Sequence, residues 1–161
     1  MSVVSTSGGG QSASYVINGQ LVDAYAQPFH SAAAVATAVR SKDAYANGLL
    51  SGSKWSSLSS SFGFPTSPGD YEYQGEAQSG FAPVYNAQAN AIANALNMVA
   101  SVTGLTFTAA SSPGSADLRF ANSSLPSTAW GYLPSASAQG GDVWFNAANP
   151  ICQSAHRRSR F

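Results

Sequence analysis

The residues of this chain most able to do chemistry are two histidines, one cysteine and two loop glutamates. His30 has no second His, Cys or acidic residue at the spacing of a metal site, so an ordinary surface or capping histidine is expected. Cys152 is the single cysteine, which excludes an internal disulfide framework and a cysteine-based metal cluster. Glu72 and Glu76 lack a nearby histidine or anchored acid, so the sequence predicts solvated loop charges rather than acid–base catalysis.

The overall charge excludes two classes of partner. Seven Lys and Arg balance seven Asp and Glu, which leaves no net field to attract nucleic acid or an anionic membrane.

No run of eighteen apolar residues and no Sec-type signal is visible, so no membrane span is expected. The 161 residues, 44% of them hydrophobic, are enough for one domain with a sizeable core.

The element expected to organise that core is a helix over residues 81–102. Good helix formers fill its interior, Pro83 suits a first turn, and Gly104 stands where a left-handed cap is expected. Its apolar positions recur at steps of three and four and comprise Phe81, Val84, Tyr85, Ile92, Ala95, Leu96, Val99 and Val102. A helix that leads through one glycine into a strand predicts a layered helix-on-sheet domain.

Shorter patterns predict the remaining elements. Residues 1–14 form a Ser/Gly-rich arm, residues 15–22 a hairpin around Asn18-Gly19, and residues 31–45 an alanine-rich helix. Strands are predicted over residues 58–62, 105–108, 117–121, 128–133 and 142–146. Asp117 and Arg119 fall on one face of their strand, where they are placed to pair. The strand 128–133 contains a glycine and ends at a proline, which suits a sheet edge.

The order of these segments resembles the serralysins, secreted zinc endopeptidases of the metzincin group. The strongest matching pieces are Leu-Leu-Ser-Gly-Ser-Lys-Trp at 49–55 and Gly-Gly-Asp-Val-Trp-Phe-Asn at 140–146, and the likeness covers residues 44–150. It implies an extracellular protein of α+β class, with a zincin-like, twisted, mixed five-stranded sheet and one long helix packed on it. It also implies that a peptide substrate adds as a strand to an antiparallel edge strand. The substrate-binding residues implied are Ala129, Trp130, Gly131, Tyr132 and Leu133.

The sequence differs from the family in the segments that would bind the metal ions. Serralysins hold zinc with the motif H-E-x-x-H-x-x-G-x-x-H on a second helix and carry calcium in later glycine-rich repeats; this sequence contains neither. His156 is followed by Arg157, where the motif needs glutamate. Neither metal is therefore expected to bind this chain tightly.

Three interpretations follow. In the first, residues 1–43 are a flexible arm and short helix, residues 44–150 are the upper half of a metzincin-type catalytic domain, and residues 151–161 are a non-matching basic tail. Such a fragment is expected to be inactive and to self-associate, because the missing zinc helix would leave apolar sheet surface uncovered. In the second, the chain is a non-enzymatic secreted peptide-binding or adhesion module. In the third, it is a structural β-rich domain whose likeness to serralysins is accidental.

Overall fold

The computed structural model describes residues 14–17, 20–23 and 33–148. Strands β1 (Ser14–Ile17) and β2 (Gln20–Asp23) pair antiparallel, with Val16 opposite Leu21, which confirms the predicted hairpin strands. The hairpin turn, most of the predicted arm, His30, Cys152 and the basic tail lie outside the described residues.

The predicted helix over residues 31–45 is wrong in its described part. Strand β3 (Val35–Thr37) pairs antiparallel with β4 (Ser53–Trp55), and the helix α1 begins only at Ala44 and ends at Gly48. Asp43 caps α1, because its Oδ1 accepts a hydrogen bond of 2.8 Å from the Tyr45 N–H. Pairing with β4 therefore outweighs the helix propensity of the alanines, as tertiary context commonly does.

A mixed five-stranded sheet forms the body of the fold, as predicted. Its strands are β5 (Ser59–Gly63), β6 (Thr106–Ala109), β7 (Leu118–Ser123), β8 (Ala129–Gly131) and β9 (Val143–Asn146). They lie in the order β6-β5-β7-β9-β8. The first four of these run parallel, and β8 is an edge strand antiparallel to β9. The predicted strand positions agree with these elements to within a few residues.

The long helix α2 spans Asn86–Val102, so it begins later than predicted. Residues 81–85 are not helical, because Ala82 exchanges two backbone hydrogen bonds with Asn122 of β7, 3.1 and 2.9 Å long, and Tyr85 is extended. The predicted left-handed cap at Gly104 is also wrong. Thr103 ends the helix in extended conformation, and its hydroxyl donates to the Val99 carbonyl at 2.8 Å.

The two faces of the sheet are covered by different segments. Side chains alternate along each strand, so Arg119 and Ala121 of β7 lie on one face and Phe120 and Asn122 on the other. Helix α2 covers the second face, where Gln88 bonds the Asn122 side chain at 3.1 Å. We call this the helix-side face. Residues 66–80 cover the first, which we call the loop-side face.

Candidate functional site

The edge strand β8 has a free backbone edge. The Tyr132 N–H donates to the Asp142 carbonyl at 2.8 Å, and the Asn146 N–H donates to the Thr128 carbonyl at 2.7 Å. These bonds direct the backbone of alternate residues, including Trp130, toward β9. By the same alternation, the N–H and C=O groups of Ala129 and Gly131 point away from the sheet. Within the described part of the chain no strand lies beyond them.

A buried glutamate holds the two aromatic side chains of this edge. Trp130 and Tyr132 lie two residues apart on the loop-side face, with 41% and 39% of each residue exposed. The Trp130 indole N–H donates to Glu76 Oε1 at 3.0 Å, and the Tyr132 hydroxyl donates to the same oxygen at 2.5 Å. Glu76 is only 4% exposed. The prediction of a solvated charge is therefore wrong for Glu76, whereas Glu72 is exposed.

The segment that carries Glu76 is fixed to the sheet by the residues that directly follow the glutamate. A 3-10 turn at Glu76–Gln78 buries Ala77 in the core cluster of Tyr71, Ala121 and Trp144. The Ser79 carbonyl accepts three hydrogen bonds from Ser123 and Ser124 at the end of β7, each 2.8 or 2.9 Å long. These contacts fix the backbone next to Glu76, and the fixed backbone sets the position of the Glu76 carboxylate.

Behind the edge lies a buried ion pair. Arg119 and Asp142 both have fully buried side chains, with Nε and Oδ1 2.7 Å apart and Nη2 and Oδ2 2.9 Å apart. The remaining guanidinium donors reach the carbonyls of Asp70, Gly114 and Ala138 at 2.6 to 3.2 Å. One arginine therefore joins three connecting segments to β7 and β9, with every donor used.

This ion pair replaces the predicted pairing of Arg119 with Asp117. Asp117 instead accepts from the Ser61 N–H at 2.7 Å and from the Ser61 hydroxyl at 2.9 Å. The parallel register of β7 and β9 sets Asp142, rather than Asp117, beside Arg119. Gly141 makes that approach possible, because its φ is +88° and a Cβ there would lie 2.2 Å from the Asp117 carbonyl oxygen.

The pKa values of Asp142 and of three neighbouring tyrosines are raised in this region. Burial raises the pKa of Asp142 to about 6, although hydrogen bonds from Arg119 and Tyr73 act to lower it. The hydrogen bond to Glu76 raises the pKa of Tyr132 to about 12, with burial and the Glu76 charge adding to it. Burial, followed by the Asp142 charge, raises the pKa of Tyr73 and of Tyr71. All three tyrosines therefore remain protonated at neutral pH, and Tyr73 and Tyr132 donate to Asp142 and Glu76.

The helix-side face of the edge is different in character. Ala129 and Gly131 lie opposite Phe145 and Val143 of β9, and they offer almost no side chain of their own. Leu133 follows them and is exposed. The edge therefore has aromatic bulk on one face only.

The described residues do not fit the zinc of the resembling family. Among residues 33–148 no group of three or more His, Cys, Asp or Glu side chains could hold a metal ion. Asp142, the most deeply buried acid, is already bound by an arginine and a tyrosine. No residue here is assigned to a metal.

Comparison with known proteins gives no family. No protein-family model matches the chain, and no curated protein matches it either. No helix in the described part of the chain is long and apolar enough to cross a membrane.

The sequence located part of this site and missed the rest. It placed residues 129–133 at an antiparallel sheet edge, where the structure has β8. It gave no signal for Glu76, which is separated from Trp130 and Tyr132 by 54 and 56 residues. The Arg119–Asp142 pair was missed for the same reason, since strand register brings the two together.

Proposed function

We propose that this chain is the peptide-holding part of a secreted, serralysin-like zinc endopeptidase domain with a zincin-like sheet. In this proposal β8 binds an extended peptide substrate main chain to main chain. The residues that contact the peptide are Ala129, Trp130, Gly131, Tyr132 and Leu133. Hydrolysis is assigned to none of the residues of this sequence, because they supply no zinc-binding motif.

The observation that carries the proposal is the free backbone edge of β8. The unpaired N–H and C=O groups of Ala129 and Gly131 repeat at the spacing of a β-strand, which is the pattern an incoming strand needs. The mixed sheet with one antiparallel edge strand also agrees with what the resemblance implies. Proteins normally protect an exposed sheet edge, because it can pair with other chains. An unprotected edge beside two aromatic side chains that Glu76 holds in place therefore favours a binding role.

The second candidate function is a non-enzymatic peptide-binding or adhesion module. One observation favours it: the free edge of β8 and the two side chains that Glu76 holds beside it are formed within the described residues and require no metal ligand. Both candidates use β8 in the same way, so they differ in zinc and hydrolysis rather than in binding.

Main-chain binding is tested by removing one outward N–H from the edge. Gly131→Pro deletes that donor, whereas Gly131→Ala keeps it and sets a Cβ at an acceptable 3.4 Å from Val143. We expect biolayer interferometry with immobilised, unfolded casein to show at least tenfold weaker binding for Gly131→Pro and nearly unchanged binding for Gly131→Ala. Equal binding by both variants would contradict strand addition.

A second measurement separates the protease assignment from the binding module. The purified 161-residue chain should hold no stoichiometric zinc after dialysis and should leave casein uncut, under either candidate. Fusing a helix that carries H-E-x-x-H-x-x-G-x-x-H after residue 150 should add bound zinc and chelator-sensitive cleavage if the protease proposal is correct. One zinc per chain, with cleavage, in the 161-residue form would show that the ligands have been misassigned.

A further inference from the structure

The buried Glu76 carboxylate has no part in main-chain pairing, yet it contacts both aromatic side chains of the edge. Its Oε1 accepts from Trp130 and from Tyr132, the two large residues on the loop-side face of β8. At 4% exposure it offers little charge to a partner. Its effect on a bound peptide must therefore act through the two rings.

Two hydrogen bonds to one fixed oxygen restrict both rings. Exposed Trp and Tyr side chains ordinarily sample several rotamers, and ordering them on binding costs free energy. Here the rings are held while about two fifths of each residue is still exposed. A preorganised aromatic surface of this kind binds apolar groups without that ordering cost.

The strand geometry sets the spacing of what these rings can contact. An added strand has successive side chains on opposite faces, so only every second residue meets the loop-side face. Trp130 and Tyr132 are themselves two residues apart. The matching peptide therefore carries two large side chains separated by one residue. On the other face, Ala129 and Gly131 provide no comparable surface.

We infer that Glu76 is the positioning residue of this edge, and that by holding Trp130 and Tyr132 it selects extended peptides with large apolar side chains at positions i and i+2. This inference rests on the proposed function, since it requires a peptide strand beside β8. It adds a substrate class to that function.

The test uses two labelled peptides of identical composition. One, Ser-Ser-Leu-Ser-Leu-Ser-Ser, has leucines two apart; the other, Ser-Ser-Leu-Leu-Ser-Ser-Ser, has them adjacent, so that only one can face the rings. Fluorescence anisotropy should show the first binding about tenfold more tightly, the scale expected for burying one more leucine. A third peptide with lysines in place of the spaced leucines should bind no better than the adjacent-leucine peptide.

The variant Glu76→Gln keeps the shape of the side chain but replaces the charged oxygen that accepts both hydrogen bonds by a weaker, neutral amide oxygen. We expect the preference for spaced leucines to fall to about twofold while binding of the adjacent-leucine peptide persists. Glu72→Gln, at an exposed glutamate of the same segment, should keep the tenfold preference. The Tyr132 hydroxyl gives an independent signal, because in Glu76→Gln its pKa should fall from about 12 toward 10 in an ultraviolet titration.

The outcomes separate the two proposals. If Gly131→Pro leaves peptide binding intact, the proposed function fails. If Gly131→Pro abolishes binding but Glu76→Gln keeps the tenfold preference, only the role of Glu76 fails. Should Glu76→Gln not fold by circular dichroism, Tyr132→Phe decides, because it removes only the hydroxyl that donates to Glu76 and must still lower the preference. Tight binding of the lysine peptide would overturn the apolar selectivity.

Discussion

Residues 66–80 close the loop-side face of the sheet, whereas helix α2 lies across the helix-side face and leaves part of it open. On the loop side, Trp144 and Arg119 are fully buried, and the Tyr71 and Trp144 rings lie 4.6 Å apart. On the helix side, only Ile92 of α2 is buried, and Val102 at its end is 84% exposed. Phe120 and Asn122 of the sheet are buried on this face, but its other large side chains are only half-buried; these are Phe62, Phe107, Leu118, Val143 and Phe145.

The difference shows that an irregular segment can seal a sheet better than a regular helix. The loop side is held by directed bonds, since Arg119 alone reaches three backbone carbonyls and a carboxylate. The helix side depends on apolar area, and α2 supplies only one narrow stripe of it. The candidate site lies beside the well-packed face, where a fixed carboxylate can be maintained.

The largest expected effect comes from breaking the loop-side ion pair. Arg119→Met leaves Asp142 buried without its cation and leaves three carbonyls without donors. We expect the free energy of unfolding to fall by at least 3 to 5 kcal/mol, which is comparable with the total stability of a small domain. Urea denaturation measures the loss, and Arg40→Met at an exposed position should change it by less than about 0.5 kcal/mol. A loss below about 1 kcal/mol would contradict the central role of this arginine.

Two neighbouring residues of β9 lie on opposite faces of the sheet, so substituting each of them compares the packing of the two faces directly. Trp144 is fully buried on the loop side, and Phe145 is half-buried on the helix side. Trp144→Ala should cost about 3 to 5 kcal/mol, and Phe145→Ala about 1 to 2 kcal/mol. Equal losses in urea denaturation would mean that the two faces are equally packed.

A smaller change in the free energy of unfolding is expected when the pH is varied, because Asp142 titrates. Its pKa of about 6 in the folded chain exceeds the ordinary value of 3.8, so between these values the folded state binds more protons than the unfolded state. This contribution is therefore present at low pH and is lost as pH rises from about 4 to 6. Its size is on the order of 1 to 3 kcal/mol, at about 1.4 kcal/mol per pKa unit.

Carboxyl carbon NMR should follow the Asp142 titration directly, with a midpoint near 6. In Arg119→Met, if it remains folded, the midpoint should rise, because Arg119 acts to lower this pKa. A midpoint below 4 in the unmodified chain would reverse the sign of the pH dependence.

The smallest change in stability is expected on the exposed end of α2. Because the helix-side face is incompletely covered, the chain should bind an apolar dye and self-associate. The double variant Met98→Glu with Val102→Lys replaces two exposed side chains by a pair at favourable helix spacing, so stability should change by less than about 0.5 kcal/mol. Dye fluorescence and the sedimenting mass should both decrease. Val39→Lys, at an exposed position outside this helix, serves as the control and should alter neither.

The sequence by itself determined which segments form the sheet and the long helix. The alternation in residues 117–121, the aromatic residues of 142–146 and the apolar stripe of α2 are local sequence patterns, so they predict local structure directly. The glycine and proline near β8 indicated an edge, because both are disfavoured in central strands. The alanine-rich stretch before residue 45 led to the wrong prediction of a helix, since the pairing of β3 with β4 depends on residues fifteen or more positions away.

Only the tertiary structure decided which side chains meet. Glu76 looked like one of two loop acids until chain folding set it beneath Trp130 and Tyr132. Arg119 could have paired with Asp117, but strand register and the conformation of Gly141 gave it Asp142 instead. Charge and hydrogen-bond partners act over a few ångströms of space rather than along the chain. The sequence therefore predicts the elements, and their packing determines the site.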